Sequence, residues 1–151
     1  MPDVVDPQTR SKMMSGIRGR NTRPEIIVRK GLHALGFRFR LHSNQLPGKP
    51  DIVLPKYRAA IFVNGCFWHG HDCHLFRMPS TRTEFWQNKI VRNVARDREV
   101  SLSISRNGWR QLVVWECALK GRTRLDFESV MQRIADWLKG GEPSGEIRGM
   151  A

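Results

Sequence analysis

Two rhythms of apolar residues divide the chain. Ile27, Gly31 and Ala34 form one row at helical spacing, and Val28, Leu32 and Leu35 form the row beside it. This predicts an amphipathic helix that runs from Thr22 and ends at Gly36. Thr22-Arg-Pro-Glu25 opens it with capping-box spacing, and Pro24 sits in its first turn. Upstream, residues 1–6 read as a loose lead-in. Pro7 to Gly19 reads as a short basic helix with Asp6 at its N-cap. Phe37 to Leu41 alternates apolar and basic residues, the pattern of a half-buried strand. Leu46-Pro-Gly-Lys-Pro50 is a rigid loop. Asp51–Leu54 and Arg58–Val63 then read as two buried strands joined by Pro55-Lys56-Tyr57.

Asn64 to Arg82 follows neither rhythm. It is polar, aromatic and rich in Cys and His, and long irregular segments of this kind are usually functional or stapled by a metal. Thr83 to Ser105 is predicted as a long helix. Trp86, Ile90 and Val94 make one row of it, while Lys89, Arg92, Asn93 and Arg96 make a basic and polar face. Asn107-Gly108 leads into a buried strand over Trp109–Trp115. Phe127, Val130, Met131, Ile134, Trp137 and Leu138 recur at helical spacing in a last helix. From Gly140 onward a frayed tail is expected. The order α-α-β-β-β-loop-α-β-α indicates a single α/β domain over residues 1–139, with a mixed sheet between helices.

Composition narrows the function classes. The chain has 151 residues, 40% of them hydrophobic, which suits one packed domain and argues against wholesale disorder. No apolar run is long enough to span a membrane, and the N-terminus does not read as a signal peptide. A cytoplasmic protein is the expectation. The net charge is +12, and the first fifty residues carry ten basic side chains against three acidic ones. A polyanionic partner follows. Nucleic acid fits better than a membrane surface, because no Lys-rich helix with a greasy face appears.

Candidate chemistry concentrates in the irregular segment. The three cysteines, Cys66, Cys73 and Cys117, are too few and odd in number for a disulfide framework. Cys66-x4-His71-x-Cys73, with Cys117 from the end of the last predicted strand, offers four soft ligands for a tetrahedral Zn²⁺. His69 and His74 compete with His71 for the fourth position. Asp51, after Pro50 and at the start of a strand, reads as a carboxylate at a sheet end. With a second oxygen ligand it is suited to Mg²⁺, which would polarise a phosphate and activate water. Phe67 and Trp68 pack beneath the loop as a small core or face nucleic-acid bases, and Trp86 and Met14 carry the same two readings. His69 is a candidate general acid or base on a phosphate. Glu25 fits a helix cap.

Five motifs together resemble the very-short-patch-repair (Vsr) endonucleases. They are Thr9-Arg-Ser-Lys-x-Met14, Leu46-Pro-Gly-Lys-Pro-Asp51, Gly65-Cys-Phe-Trp-His69-x-His71-x-Cys73, Thr81-Arg-Thr-Glu-Phe-Trp86 and Val114-Trp-Glu-Cys-Ala118. The match spans residues 6 to 139 in the family's order. It implies a restriction-endonuclease-like fold of the PD-(D/E)xK type. It also implies a single-strand nick 5′ to the thymine of a T:G mismatch, the product of 5-methylcytosine deamination. By position, Asp51 resembles the Mg²⁺-binding carboxylate, with the backbone carbonyl of Val63 as second ligand. His69 resembles the catalytic histidine, and Glu25 a supporting carboxylate. Cys66, His71, Cys73 and Cys117 resemble structural zinc ligands. Phe67, Trp68 and Trp86 resemble a wedge entering the duplex from the major groove, and Met14 its counterpart from the minor groove. Lys89 and Asn93 match positions near the mismatch and its backbone.

One residue departs from the pattern. Asn64 stands where the family usually has histidine, and an amide can hydrogen-bond a phosphate or water but cannot shuttle a proton near pH 7. The expectation is a monomeric, nucleoid-associated bacterial enzyme acting on duplex DNA, with a mismatch-repair protein as an additional partner. The alternatives are a nickase without mismatch preference and a zinc-containing DNA-binding module weakened by Asn64.

Overall fold

The computed structural model describes residues 22–150. The predicted helix over Pro7–Gly19, and Met14 with it, lies outside them. Three helices and five strands follow. They are α1 (Arg23–Ala34), β1 (Arg40–Leu41), β2 (Ile52–Leu54), β3 (Ala59–Asn64), α2 (Thr83–Arg106), β4 (Arg110–Trp115), α3 (Phe127–Lys139) and β5 (Ser144–Ile147). Among the described residues, no helix is long and apolar enough to cross a membrane.

The strands form one mixed sheet in the order β1-β2-β3-β4-β5. The first two pairings are antiparallel, as short connections require, and the last two are parallel. Alternation along the strands divides the core between two faces. Ile52, Leu54, Ala59, Ile61, Val63, Leu112 and Val114 join Val28 and Leu32 of α1 and the apolar stripe of α3. Val53, Ala60 and Phe62 point the other way, toward Val100 and Ile104 of α2. A sheet covered on both faces needs apolar residues at successive positions, which explains why β2 and β3 read as near-continuous apolar runs.

Two predicted boundaries shift, each for a local reason. The strand expected over Phe37–Leu41 contracts to its last two residues. Gly36 is left-handed at φ 88°, and the chain closes α1 with Gly36 N–H donating to His33 O and Phe37 N–H donating to Leu32 O. That closure is a Schellman cap, which removes Phe37 from any ladder and turns its ring edge-on to Tyr57. The second shift is at the C-terminus. Instead of fraying from Gly140, the chain adds β5 in parallel beside β4, with Ile147 buried. Arg110 organises the approach, because its guanidinium donates to the carbonyls of Trp137, Leu138 and Glu142.

Candidate functional site

Chemistry-bearing residues gather where β2 begins and where β3 and β4 end. Continuing the β2–β3 register beyond Ile52↔Ile61 sets Pro50 opposite Val63. Proline has no N–H to give the ladder. Val63 N–H instead donates to Asp51 Oδ2 at 2.7 Å, which fixes the carboxylate against the strand end. Burial raises the Asp51 carboxyl from 3.8 to about 6. The nearby Glu25 carboxylate pushes in the same direction, while the Val63 N–H, His42 and His69 act against it.

Glu25 was expected to cap α1 or to support an active site. Thr22 makes no side-chain cap hydrogen bond, and Glu25 is 1% exposed. Its Oε1 meets His42 Nε2, with Arg29 Nη1 at 3.8 Å. Glu25, His42 and Asp51 offer ligand atoms that all lie within 4.8 Å of one another. Sequence reasoning missed His42. It lies beyond the end of β1 in an unremarkable stretch, and only the β1–β2 pairing carries it to Asp51.

The Cys/His segment resolves into two imidazole environments. His69 Nδ1 lies 2.6 Å from Asp97 Oδ2 of α2, leaving Nε2 as the ring nitrogen free of that contact. Asp97 was also missed, since one acidic residue on a basic helix face carries no local signal. Gly70 follows His69 at φ 59°, and a Cβ there would come 2.9 Å from Ile90 and 3.2 Å from Val94. Only glycine lets the loop run this close to α2.

His71 lies on the other side of Gly70 and stacks on Trp115, with ring centres 3.9 Å apart and planes 8° apart. Trp115 also meets His69 edge-on at 6.2 Å. Cys66, His71, Cys73 and Cys117 form the second cluster of potential metal ligands, again within 4.8 Å of one another. This selects among the competing histidines. His69 pairs with Asp97, and His74 Nδ1 lies 3.3 Å from Thr123 Oγ1. Cys117 Sγ lies 3.6 Å from His71 Nδ1. An edge of that length is expected of a tetrahedron with metal–sulfur bonds of about 2.3 Å and metal–nitrogen bonds of about 2.0 Å.

The surroundings suit a metal. Burial pushes the Cys66 and Cys117 thiols upward and favours the neutral form of His71. Metal-free, the cluster would bury the Cys66 and Cys117 thiols beside His71 in a tight polar knot. A soft dication would convert them to ligands. Gly149 N–H donates to Cys117 Sγ, and Cys66 N–H donates to Glu116 Oε1. The first would stabilise thiolate charge on Cys117, and the second positions the loop.

The expected aromatic residues also come together. Phe67 packs edge-on against Trp68 and Trp86, at 5.2 and 5.5 Å, and stacks on Phe76 at 5.9 Å. Trp68 and Trp86 are 5.7 Å apart, and Phe85, exposed beside them, extends the group. Asn93 Nδ2 donates to Trp68 O and fastens this wall to α2. Lys89 lies on the same helix, one turn nearer the aromatic group. Asn64 ends β3 in register with Trp115 of β4.

Comparison with known proteins finds close relatives of this chain. A family model described as DNA mismatch endonuclease Vsr matches residues 2–75. The chain is 47% identical over 147 residues to the DNA mismatch endonuclease Vsr of Escherichia coli, covering 97% of this chain and 94% of that protein. It is 48% identical over 136 residues to the type II nicking enzyme V.XorIIP of Xanthomonas oryzae, covering 90% and 98%. With the type II nicking enzyme V.NmeAIP of Neisseria meningitidis it shares 42% over 122 residues, covering 81% and 87%.

Proposed function

The chain belongs to the Vsr family of DNA endonucleases, and on that footing we propose that it nicks one strand of duplex DNA 5′ to the thymine of a T:G mismatch. The observation that carries the reading is an imidazole oriented for proton transfer, with His69 Nδ1 held 2.6 Å from Asp97, in the electrostatic range of the anchored Asp51 carboxylate. The mixed sheet, with antiparallel β2 and β3 followed by parallel β4, supports a restriction-endonuclease-like core of the PD-(D/E)xK type.

Asp51 is the residue to hold the catalytic Mg²⁺. In an extended residue N–H and C=O leave the same edge of the strand. The bond from Val63 N–H to Asp51 therefore supports the Val63 carbonyl as the second oxygen ligand. Mg²⁺ bound there would polarise the scissile phosphate and lower the pKa of a coordinated water. His69 Nε2 takes a proton from the attacking water, a new P–O bond forms, and the bond to the 3′ oxygen breaks. That oxygen leaves as a hydroxyl after gaining a proton from solvent. Asp97 holds the ring and stabilises the imidazolium that forms. Asn64 hydrogen-bonds the phosphate, and Glu25 is the supporting carboxylate beside Asp51.

Cys66, His71, Cys73 and Cys117 would hold a structural zinc. Four protein ligands would leave such an ion no position for substrate. The wall of Phe67, Trp68 and Trp86 is the wedge for a mismatched step, where unstacking costs least, with Lys89 and Asn93 near the mismatch and its backbone and Met14 in the role of minor-groove counterpart. A mismatch-repair protein partner and a monomeric state belong to the same reading.

The test uses two labelled duplexes that differ only in a T:G or T:A pair, with and without Mg²⁺. A Mg²⁺-dependent nick confined to the T strand of the mismatch is expected. Equal nicking of both duplexes would replace mismatch repair with a general nickase. Binding without cutting would make the chain a DNA-binding module.

A further inference from the structure

His42 has no part in the reaction just described, yet it stands inside the site. In the continued β1–β2 register it faces Asp51, and its N–H donates to Asp51 O at 3.2 Å. Its backbone is left-handed at φ 48°. For a residue with a Cβ that conformation is strained and persists where surrounding structure imposes it. The side chain is 12% exposed and reaches Glu25, itself 1% exposed and carried by a different element. Three separate parts of the chain thus deliver one imidazole and two carboxylates to a nearly dry space, with ligand atoms within 4.8 Å.

Two carboxylates this close and this far from water need positive charge nearby. Arg29, at 3.8 Å from Glu25, supplies part of it from the first helix. A divalent cation among the three would add to it. Octahedral ligands at about 2.1 Å from a centre are roughly 3 Å apart when adjacent and about 4.2 Å apart when opposite. Three donors gathered within 4.8 Å need only small side-chain adjustments to meet one ion.

We propose that His42 is a metal ligand, and that Glu25, His42 and Asp51 form a mixed oxygen and nitrogen cation site. The inference rests on the reading that Asp51 holds the cation of the nicking reaction. Its consequence is a change in metal preference. Mg²⁺ favours an all-oxygen shell, whereas an imidazole donor favours first-row transition ions. Mn²⁺ and Co²⁺ should therefore bind more tightly than Mg²⁺.

The test is a Mn²⁺ titration of the full chain, already loaded with one equivalent of zinc and carrying ¹⁵N-imidazole histidine, followed by pulsed electron paramagnetic resonance. A nitrogen coupling to bound Mn²⁺ is expected in the wild type and in His69→Gln. In His42→Gln the coupling should vanish, and Mn²⁺ should bind at least about tenfold more weakly. Mn²⁺ binding that requires Asp51 but shows no nitrogen coupling in the wild type would overturn the proposal, and the wild-type spectrum decides this even if His42→Gln fails to fold. Binding that does not depend on Asp51 would overturn it as well. Nicking with Mg²⁺ is measured on the same samples. If nicking fails while the coupling is present, the functional reading falls and the His42 assignment stands.

Discussion

Replacing Asp51 with Asn should stabilise the protein while abolishing nicking. Asn keeps the shape of the side chain, and its carbonyl oxygen can still accept the Val63 N–H that Asp51 Oδ2 accepts at 2.7 Å. Only the charge is lost. Without added divalent metal, burial raises the Asp51 carboxyl from 3.8 to about 6. Between those values the folded chain holds a proton that the unfolded chain has released. Stability therefore falls as pH rises through this window and levels off above pH 6. Two pKa units at 1.36 kcal/mol each set a ceiling of about 3 kcal/mol on the penalty at pH 8. The assay is urea unfolding of both proteins from pH 4 to pH 8, with zinc retained and no Mg²⁺. Asp51→Asn should be more stable by about 2–3 kcal/mol at pH 8, with the difference closing toward pH 4. Added Mg²⁺ should narrow the gap at pH 8 by stabilising the wild type alone. A variant that is no more stable at pH 8, or a difference independent of pH, would refute the reasoning that this buried carboxylate awaits a cation.

Cys117→Ser should lower zinc content and reduce the melting temperature, read by metal analysis and calorimetry; full zinc occupancy with unchanged melting would exclude Cys117 as a ligand. His69→Ala should reduce the single-turnover nicking rate by about 10²–10⁴-fold, and Asp97→Asn should reduce it less while leaving DNA affinity unchanged. A normal rate in Asp97→Asn would show that the 2.6 Å contact has no part in catalysis. Trp86→Ala should weaken binding to mismatched duplex by about 1–3 kcal/mol in a titration, with a smaller loss on matched duplex.

Much of this was legible in the residues because it depended on local pattern. The rows of α1, α2 and α3, the buried runs of β2 and β3, and the close spacing of Cys66, His71 and Cys73 are properties of short windows, and the fold preserves them. What escaped notice depended on distant pairings. His42 reaches Asp51 only through the β1–β2 ladder, and Asp97 reaches His69 only because Gly70 lets the loop lie on α2. β5 was hidden for the same reason. Ser144-Gly-Glu-Ile147 has little strand character of its own, and is recruited by the exposed edge of β4 and by Arg110 fanning across the end of α3. The capping box at Thr22 failed differently. Its spacing was right, but Glu25 makes a better-buried partnership with His42 than with a backbone N–H.

The parallel pair β3 and β4 explains why the metal cluster and the candidate nicking site lie side by side. Asn64 and Trp115 are register partners at the ends of these strands. Two residues beyond each partner comes a cysteine of the cluster, Cys66 on one side and Cys117 on the other. Parallel strands cannot be closed by a hairpin, so no turn joins these two ends beyond the ladder. A metal shared by both would do so, and Trp115 stacks on the His71 of that group. The short segment from Cys66 to His71 is then held at both ends, with His71 N–H donating back to Cys66 O at 2.9 Å. His69 lies within that segment, and Asp97 orients it from outside. The cluster thus fixes the backbone that carries the candidate acid-base residue, and loss of metal should remove nicking before it removes the sheet.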